Sequence, residues 1–351
     1  MLFCVLIPPF ANRFWISYSY LISLLLVLPV TGPLPETIRE LVNLVELNLE
    51  KNNFTGPLPT QLGDLSSLEE LKVNENSFQG EIPSSLANLE ELVVLDLSEN
   101  FLTGSIPPGL ADLANLEELN LFLNERLNGT IPPALFVMSS LEELNLEYNY
   151  FSGMYYNLQT NVKCMLVHHL LQFSNLFFSF SVDSTGPLPT EIGQSRTLRI
   201  LNLKDNLLNR TIPTELGRVT TLVQLHLDDN AFSGTIPTEL SNLANLLELK
   251  LEDNALVGTI PDVLPPSLEE LTLNENPGLI GRVPLVLTKL VNLTRLDLRN
   301  TGLVGEIPNA LCDTIDDLQF DCRVTGLCGC GCECSIQNAL ANILAASKTE
   351  P

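Results

Sequence analysis

From Leu44 onward leucines return in a fixed rhythm, separated alternately by two polar residues and by one. The stretches "LEELKVNENSFQGEIPSSLANLEE", from Leu68, and "LVVLDLSENFLTGSIPPGLADLAN", from Leu92, match position by position. Both follow LxxLxLxxNxxxGxIPxxLxxLxx, a unit of 24 residues. Within LxLxx the leucines alternate with polar residues, the period of a strand with one buried face. One such strand per unit cannot bury its leucines alone. Successive units must therefore stack, and their strands form a parallel sheet spaced about 4.7 Å apart.

The other fixed positions have their own physical reasons. An asparagine ends each strand, at Asn52, Asn76, Asn100, Asn124, Asn149, Asn206, Asn230, Asn254 and Asn276, and Thr301 takes the place in the tenth unit. A stack of side-chain amides satisfies backbone groups where the chain turns, and leaving such groups unpaired costs roughly 1–3 kcal/mol each. The glycine that follows suits a turn needing positive φ. The proline of each second half, from Pro35 through Pro308, suits the start of a short helical segment, where its missing N–H is not needed. Variations stay local: Arg210 replaces the turn glycine, and "NERLNG" and "NPGLIG" each add one residue.

These units resemble plant-type leucine-rich repeats, over residues 31–153 and 185–311. The resemblance implies a single α/β solenoid of about ten such units. It would carry a concave parallel sheet, short helical or 3-10 segments on the convex side, and a Cys-rich C-terminal cap. The phrasing "TGPLPTEIG" and the acidic composition are also similar to repeat proteins of diatom-like algae.

In such a fold the polar positions of LxLxx line the concave surface. Four glutamates, Glu70, Glu118, Glu143 and Glu252, fall there with Asp96 and Asp228. Lys72, Lys250 and His226 add basic groups, and Asn120, Asn145 and Asn202 add amides. Phe122, Leu123 and Tyr148 form an apolar centre. Aromatics among hydrogen-bonding groups have the composition of a binding hot spot, and an acidic groove favours a cationic protein or peptide ligand. The competing reading of the recurring "LEEL" is a well-solvated sheet face. The family adds a receptor-like role and a co-receptor among its partners. A secreted inhibitor or cell-wall protein, resembling polygalacturonase-inhibiting proteins, is the alternative.

Composition narrows the field. A net charge of −24 argues against nucleic acid as a partner, because phosphate binding wants clustered Lys and Arg. No GxSxG, HExxH, GxxxxGK[ST] or kinase motif set occurs, so a non-enzymatic role is expected, with no cofactor or metal. Six of the eight cysteines lie at Cys312, Cys322, Cys328, Cys330, Cys332 and Cys334. They read as a disulfide-stapled cap over 312–334, followed by a tail over 335–351, in preference to a thiolate metal site, since CxxC spacing and nearby His are missing. Sequons at Asn53, Asn128, Asn209 and Asn292 agree with a secreted or cell-surface glycoprotein. The apolar segment 1–30 fits a signal peptide, a signal anchor or a wrongly assigned start.

One stretch breaks the rhythm. Asn149 and Asn206 are 57 positions apart, 33 more than one unit, and 33 is also the distance from Gly153 to Gly186. Most of this excess is the segment 154–184, which contains "CMLVHHLLQFSNLFFSFSVDS", with Lys163 and Asp183 as its charges. It reads as a translated intron ahead of a genuine apolar insertion. Gly-Met-Tyr can be encoded through a donor-like GTATGT, and "LFFSFS" almost wholly by pyrimidines.

Overall fold

The computed structural model describes residues 30–151, 187–305 and 307–320. Eleven short parallel strands form one continuous sheet on the concave side, from Glu46–Asn48 to Asp317–Gln319. Each contributes its LxLxx centre, and the register is strict: Glu118 faces Glu143, Leu119 faces Leu144 and Asn120 faces Asn145. The segment 154–184 lies outside the described residues, but the sheet does not stop there. Strand Glu143–Asn145 pairs directly with Ile200–Asn202, with Leu144 opposite Leu201.

A second strip of short strands runs along the NxLxG stretches, as six strands up to Tyr150–Phe151 and five from Asn209–Thr211 onward. Nine five-residue 3-10 segments follow it among the described residues, each beginning after a proline, as in Thr60–Asp64 after Pro59. Proline there gives up no bond, and its carbonyl accepts one: Leu62 N–H donates to Pro59 O at 3.0 Å. The unit between Asn254 and Asn276 is the exception. It is two positions short, spells "PDVLPPS" and forms no 3-10 segment, since Pro265 and Pro266 have no N–H to donate.

The core is a column of leucines between sheet, second strip and 3-10 segments. Leu71, Leu95, Leu119, Leu144 and Leu201 are all fully buried. Burying such a side chain stabilises by roughly 1.5–3 kcal/mol, and each stands on its counterpart one unit away. Phe54 and Phe78 stack with ring centres 5.8 Å apart. Gly217 lets adjacent 3-10 segments touch, since a Cβ there would lie 2.2 Å from Glu239 O.

Where the strands turn, the asparagines bond in a repeating pattern. Asn76 Nδ2 donates to the carbonyls of Leu49, Val73 and Asn74 at 2.8–3.1 Å. Its Oδ1 accepts the Phe54 N–H of the preceding unit at 3.0 Å. The residue before each ladder asparagine, and Asn300 before Thr301, adopts φ of 49–56°. This left-handed step turns the chain at the end of every strand.

Towards the C-terminus, Cys312 falls on the short helix Asn309–Thr314. Cys322, Cys328, Cys330, Cys332 and Cys334 lie outside the described residues, as does the apolar N-terminal segment up to residue 29.

Candidate functional site

Outward positions of the concave strands form parallel rows, because the side-chain period of two is held in register from unit to unit. Phe122 and Tyr148 lie on neighbouring units with rings edge to face, 5.8 Å between centres and 72° between planes. Tyr148 is 37% exposed, and Leu123 beside Phe122 is half-buried. This pair is the apolar centre of the face.

On its N-terminal side the face is acidic. Glu70 is held by Lys72 at 3.0 Å, and this hydrogen bond raises the ammonium pKa against a smaller opposing effect of burial. Asp96 accepts from the N–H and hydroxyl of Ser98 at 2.9 and 2.6 Å. Glu118 is raised above the usual carboxylate range by burial first, then by Glu143 and Asp96 nearby. Asn120 and Asn145, both half-buried, have their Oδ1 atoms accepting the N–H groups of Phe122 at 3.2 Å and Glu147 at 3.1 Å.

On the C-terminal side the charges pair with one another. Glu248 accepts from Gln224 at 2.8 Å, lies 2.9 Å from His226 Nε2 and 3.3 Å from Lys250. Burial would raise its pKa, yet His226 and Lys250 hold it below the ordinary value. His226 is pushed down by burial and by Lys250, against the pull of Glu248. Lys250 also reaches Glu270 at 3.6 Å, and Arg295 bridges Glu270 at 3.0 Å to Asp317 at 3.3 Å.

Asp228 sits in this row, but it does not present a carboxylate to solvent. Its side chain is 0% exposed, with Lys204 Nζ 3.2 Å away. Burial, followed by repulsion from Glu252, pushes its pKa up to about 6 despite Lys204. Burial alone would lower Lys204, but Asp228 and Asp229 outweigh it and raise its pKa. Thr272 and Asp297 are buried as well, Thr272 against the Glu252 carboxylate and Asp297 under a two-nitrogen grip from Arg299. These positions are therefore internal supports of the face rather than contact groups.

The structure brings Glu70, Lys72, Asp96, Glu118, Phe122, Leu123, Glu143 and Tyr148 onto one face with Asn202, His226, Lys250 and Glu252. Glu248 and Glu270, in the same outward column as Glu70, Glu118 and Glu143, help organise it, as do Glu147 and Lys204, which sequence reasoning passed over. Glu147 receives Asn202 Nδ2 at 2.6 Å. Following the third outward row from unit to unit would have found Glu147 and Lys204. The sequon asparagines Asn53, Asn128 and Asn209 lie on the second strip, and Asn292 is exposed before strand Arg295–Asp297. Among the described residues no cluster of His, Cys, Asp and Glu has the arrangement of a metal site.

A family model described as Leucine Rich Repeat matches residues 43–65, 67–89, 91–113, 221–243 and 292–314. The structure of the plant peptide hormone receptor RGFR1 in complex with RGF2 is 31% identical, with a TM-score of 0.69 over 84% of this chain. The chain is a leucine-rich repeat solenoid similar to plant receptor ectodomains. The Arabidopsis receptor kinase HAESA, solved with the peptide hormone IDA and the co-receptor SERK1, is 27% identical over 83% of the chain, with a TM-score of 0.54. The repeat protein spans 42% and 52% of the chains in those two receptor structures. A plant ice-binding protein is 25% identical, with a TM-score of 0.60, and the match covers 78% of this chain and 80% of that one. No curated protein sequence matches.

Proposed function

We propose that this repeat protein is a non-enzymatic extracellular recognition module that binds a protein or peptide ligand on its concave face, in a receptor-like role. The observation that carries the reading is the Phe122–Tyr148 pair, presented edge to face at the centre of a polar sheet surface. Aromatic anchors ringed by hydrogen-bonding groups dominate binding energies at protein interfaces. Its acidic surroundings favour a cationic partner, and steering by such a field speeds association. The neighbours solved with peptide hormones and a co-receptor support the same reading.

The test is affinity capture from extracellular fluid of the source organism with the full chain as bait, and with Phe122→Ala/Tyr148→Ala as the matched control. Capture by the first and not by the second is expected. Equal capture by both sinks the concave-face assignment.

A second reading, adsorption to ice, is favoured by one feature of the molecule. Thr211, Thr235 and Thr259 repeat at equivalent positions, and Thr190, Thr214 and Thr238 form a second file. Thr211 and Thr235 of the first file and all three of the second line an open trough of about 450 Å³, together with Leu188, Ile212 and Ile236. The ice-binding neighbour, matched over most of its own length, supports it. Inhibition of ice recrystallisation by the wild type, lost in a triple Thr→Lys variant of the first file, would favour this reading over peptide recognition.

A further inference from the structure

We infer that the ligand of the concave face is an extended basic peptide that docks on the N-terminal and central strands, Glu70–Lys72 through Ile200–Asn202, with an apolar side chain against Phe122 and Tyr148. The inference rests on the peptide-binding reading above and adds where the peptide lies and what it carries.

The face is divided by how its charges are used. In the C-terminal half most acids of the strands are held by the protein's own cations: Glu248 by His226 and Lys250, Glu270 by Lys250 and Arg295, and Asp297 by Arg299, while Glu252 accepts from the Thr272 hydroxyl. A basic ligand there would have to displace a cation the protein supplies itself. In the N-terminal half Lys72 takes Glu70, and Lys51 takes Glu50 and Glu75. Asp96, Glu118 and Glu143 form no salt bridge among the described residues, and Lys72, already bonded to Glu70, reaches Glu118 only through its field. Strand pairing sets Glu118 directly beside Glu143, and Asp96 beside Asn120. Like charges on adjacent strands repel, and an incoming Arg or Lys relieves that repulsion. The aromatic pair borders this patch on the following turns, so cation and apolar anchor are bound by neighbouring groups.

Geometry sets the length. Five strands about 4.8 Å apart span roughly 19 Å, which an extended chain covers in about six residues at roughly 3.3 Å each. A peptide crossing the strands would need its basic and apolar residues within that window.

The experiment pans the full chain against a phage-displayed library of random heptapeptides, then measures the affinity of the synthetic winners for variants. Enriched sequences should pair Arg or Lys with Leu or an aromatic. Asp96→Asn/Glu118→Gln/Glu143→Gln should weaken them about tenfold or more, and Glu248→Gln/Glu270→Gln less than about threefold. Raising the salt concentration should weaken binding to the wild type more steeply than to the first variant, a readout that global misfolding would not give. Equal losses in both variants, or winners without a basic residue, overturn the footprint. Failure to enrich any sequence over the Phe122→Ala/Tyr148→Ala form overturns the peptide-binding reading, and the footprint with it.

Discussion

Asn124 and Asn149 occupy the same place in successive units, but they use their amides differently. Asn124 donates to three carbonyls, and its Oδ1 accepts the Leu102 N–H at 3.0 Å. Asn149 also donates to three carbonyls, but its Oδ1 is buried without a donor. The cause lies one unit earlier. The extra residue in "NERLNG" redirects the Leu127 N–H to Asn124 O at 2.8 Å, so nothing is left to meet Asn149. The extra residue in "NPGLIG" does the same for Leu279, which bonds Asn276 O at 3.0 Å, and the next ladder position is Thr301. A threonine suffices where no N–H waits. Asn124→Ala should therefore cost at least about 3 kcal/mol in urea unfolding, and Asn149→Thr roughly 1 kcal/mol or less. Equal costs would mean that the amide oxygen contributes nothing.

Asp228 gives a pH signature at the same scale. Its folded pKa, about 6, is raised above the ordinary 3.8, so the folded state holds the proton more tightly than the unfolded chain. Its contribution to stability is fully present below the unfolded value and is lost as pH rises through about 6. Asp228→Asn should abolish that loss. Between pH 4 and pH 7 the wild type should fall relative to the variant by on the order of 2 kcal/mol, read from paired denaturation curves. A difference that stays constant across this range would contradict the buried-carboxylate assignment.

At the scale of the element, the repeat was legible because each of its demands is met by one residue type: leucine for the core, proline where no N–H is needed, asparagine at the turn. Departures were less legible where they depend on two units at once. That Pro265 and Pro266 remove a 3-10 segment follows from local chemistry and could have been read. That Asp228, Thr272 and Asp297 are buried could not, because it depends on how Lys204, Glu252 and Arg299 fold over them. The alternating pattern says which side of the strand a residue leaves, not whether a long neighbour covers it. Arg210 is a milder departure: it holds φ of 64° at a place where most units use glycine.

The join between the two repeat blocks gives an element-scale prediction. Strand Tyr150–Phe151 is tied to the following unit, with Phe151 N–H donating to Asn206 Oδ1 at 3.0 Å and Leu207 N–H to Phe151 O at 3.1 Å. Residues 154–186 can then be excised so that Gly153 precedes Pro187, restoring the spelling "FSGPLPTEIG". Shortening the chain between Phe151 and Pro187 keeps these contacts and lowers the entropy cost of holding its two ends together. The excised chain should be more stable by about 1–2 kcal/mol with an unchanged far-ultraviolet circular dichroism band per strand residue. A loss of folding would show that the segment supports the solenoid.

At the scale of the whole molecule, the groups that hold the fold together are separate from the face proposed for recognition. The leucine column and the asparagine turns hold adjacent units together and set the rows of outward side chains in register. The sheet's outer face is then free to differ between units, as at Phe122 and Tyr148, where apolar groups stand in place of the polar and charged residues of other units. On the proposed reading, groups that the strand register already sets in rows leave a ligand less ordering to impose on binding.

The most direct test of this account is a calorimetric titration of the captured ligand into the wild type and into Phe122→Ala/Tyr148→Ala. Loss of a central aromatic anchor costs about 2 kcal/mol or more, so affinity should drop at least about 30-fold while the melting transition stays cooperative. An unchanged Kd in a folded double variant would contradict the claim that the concave face is where this protein binds.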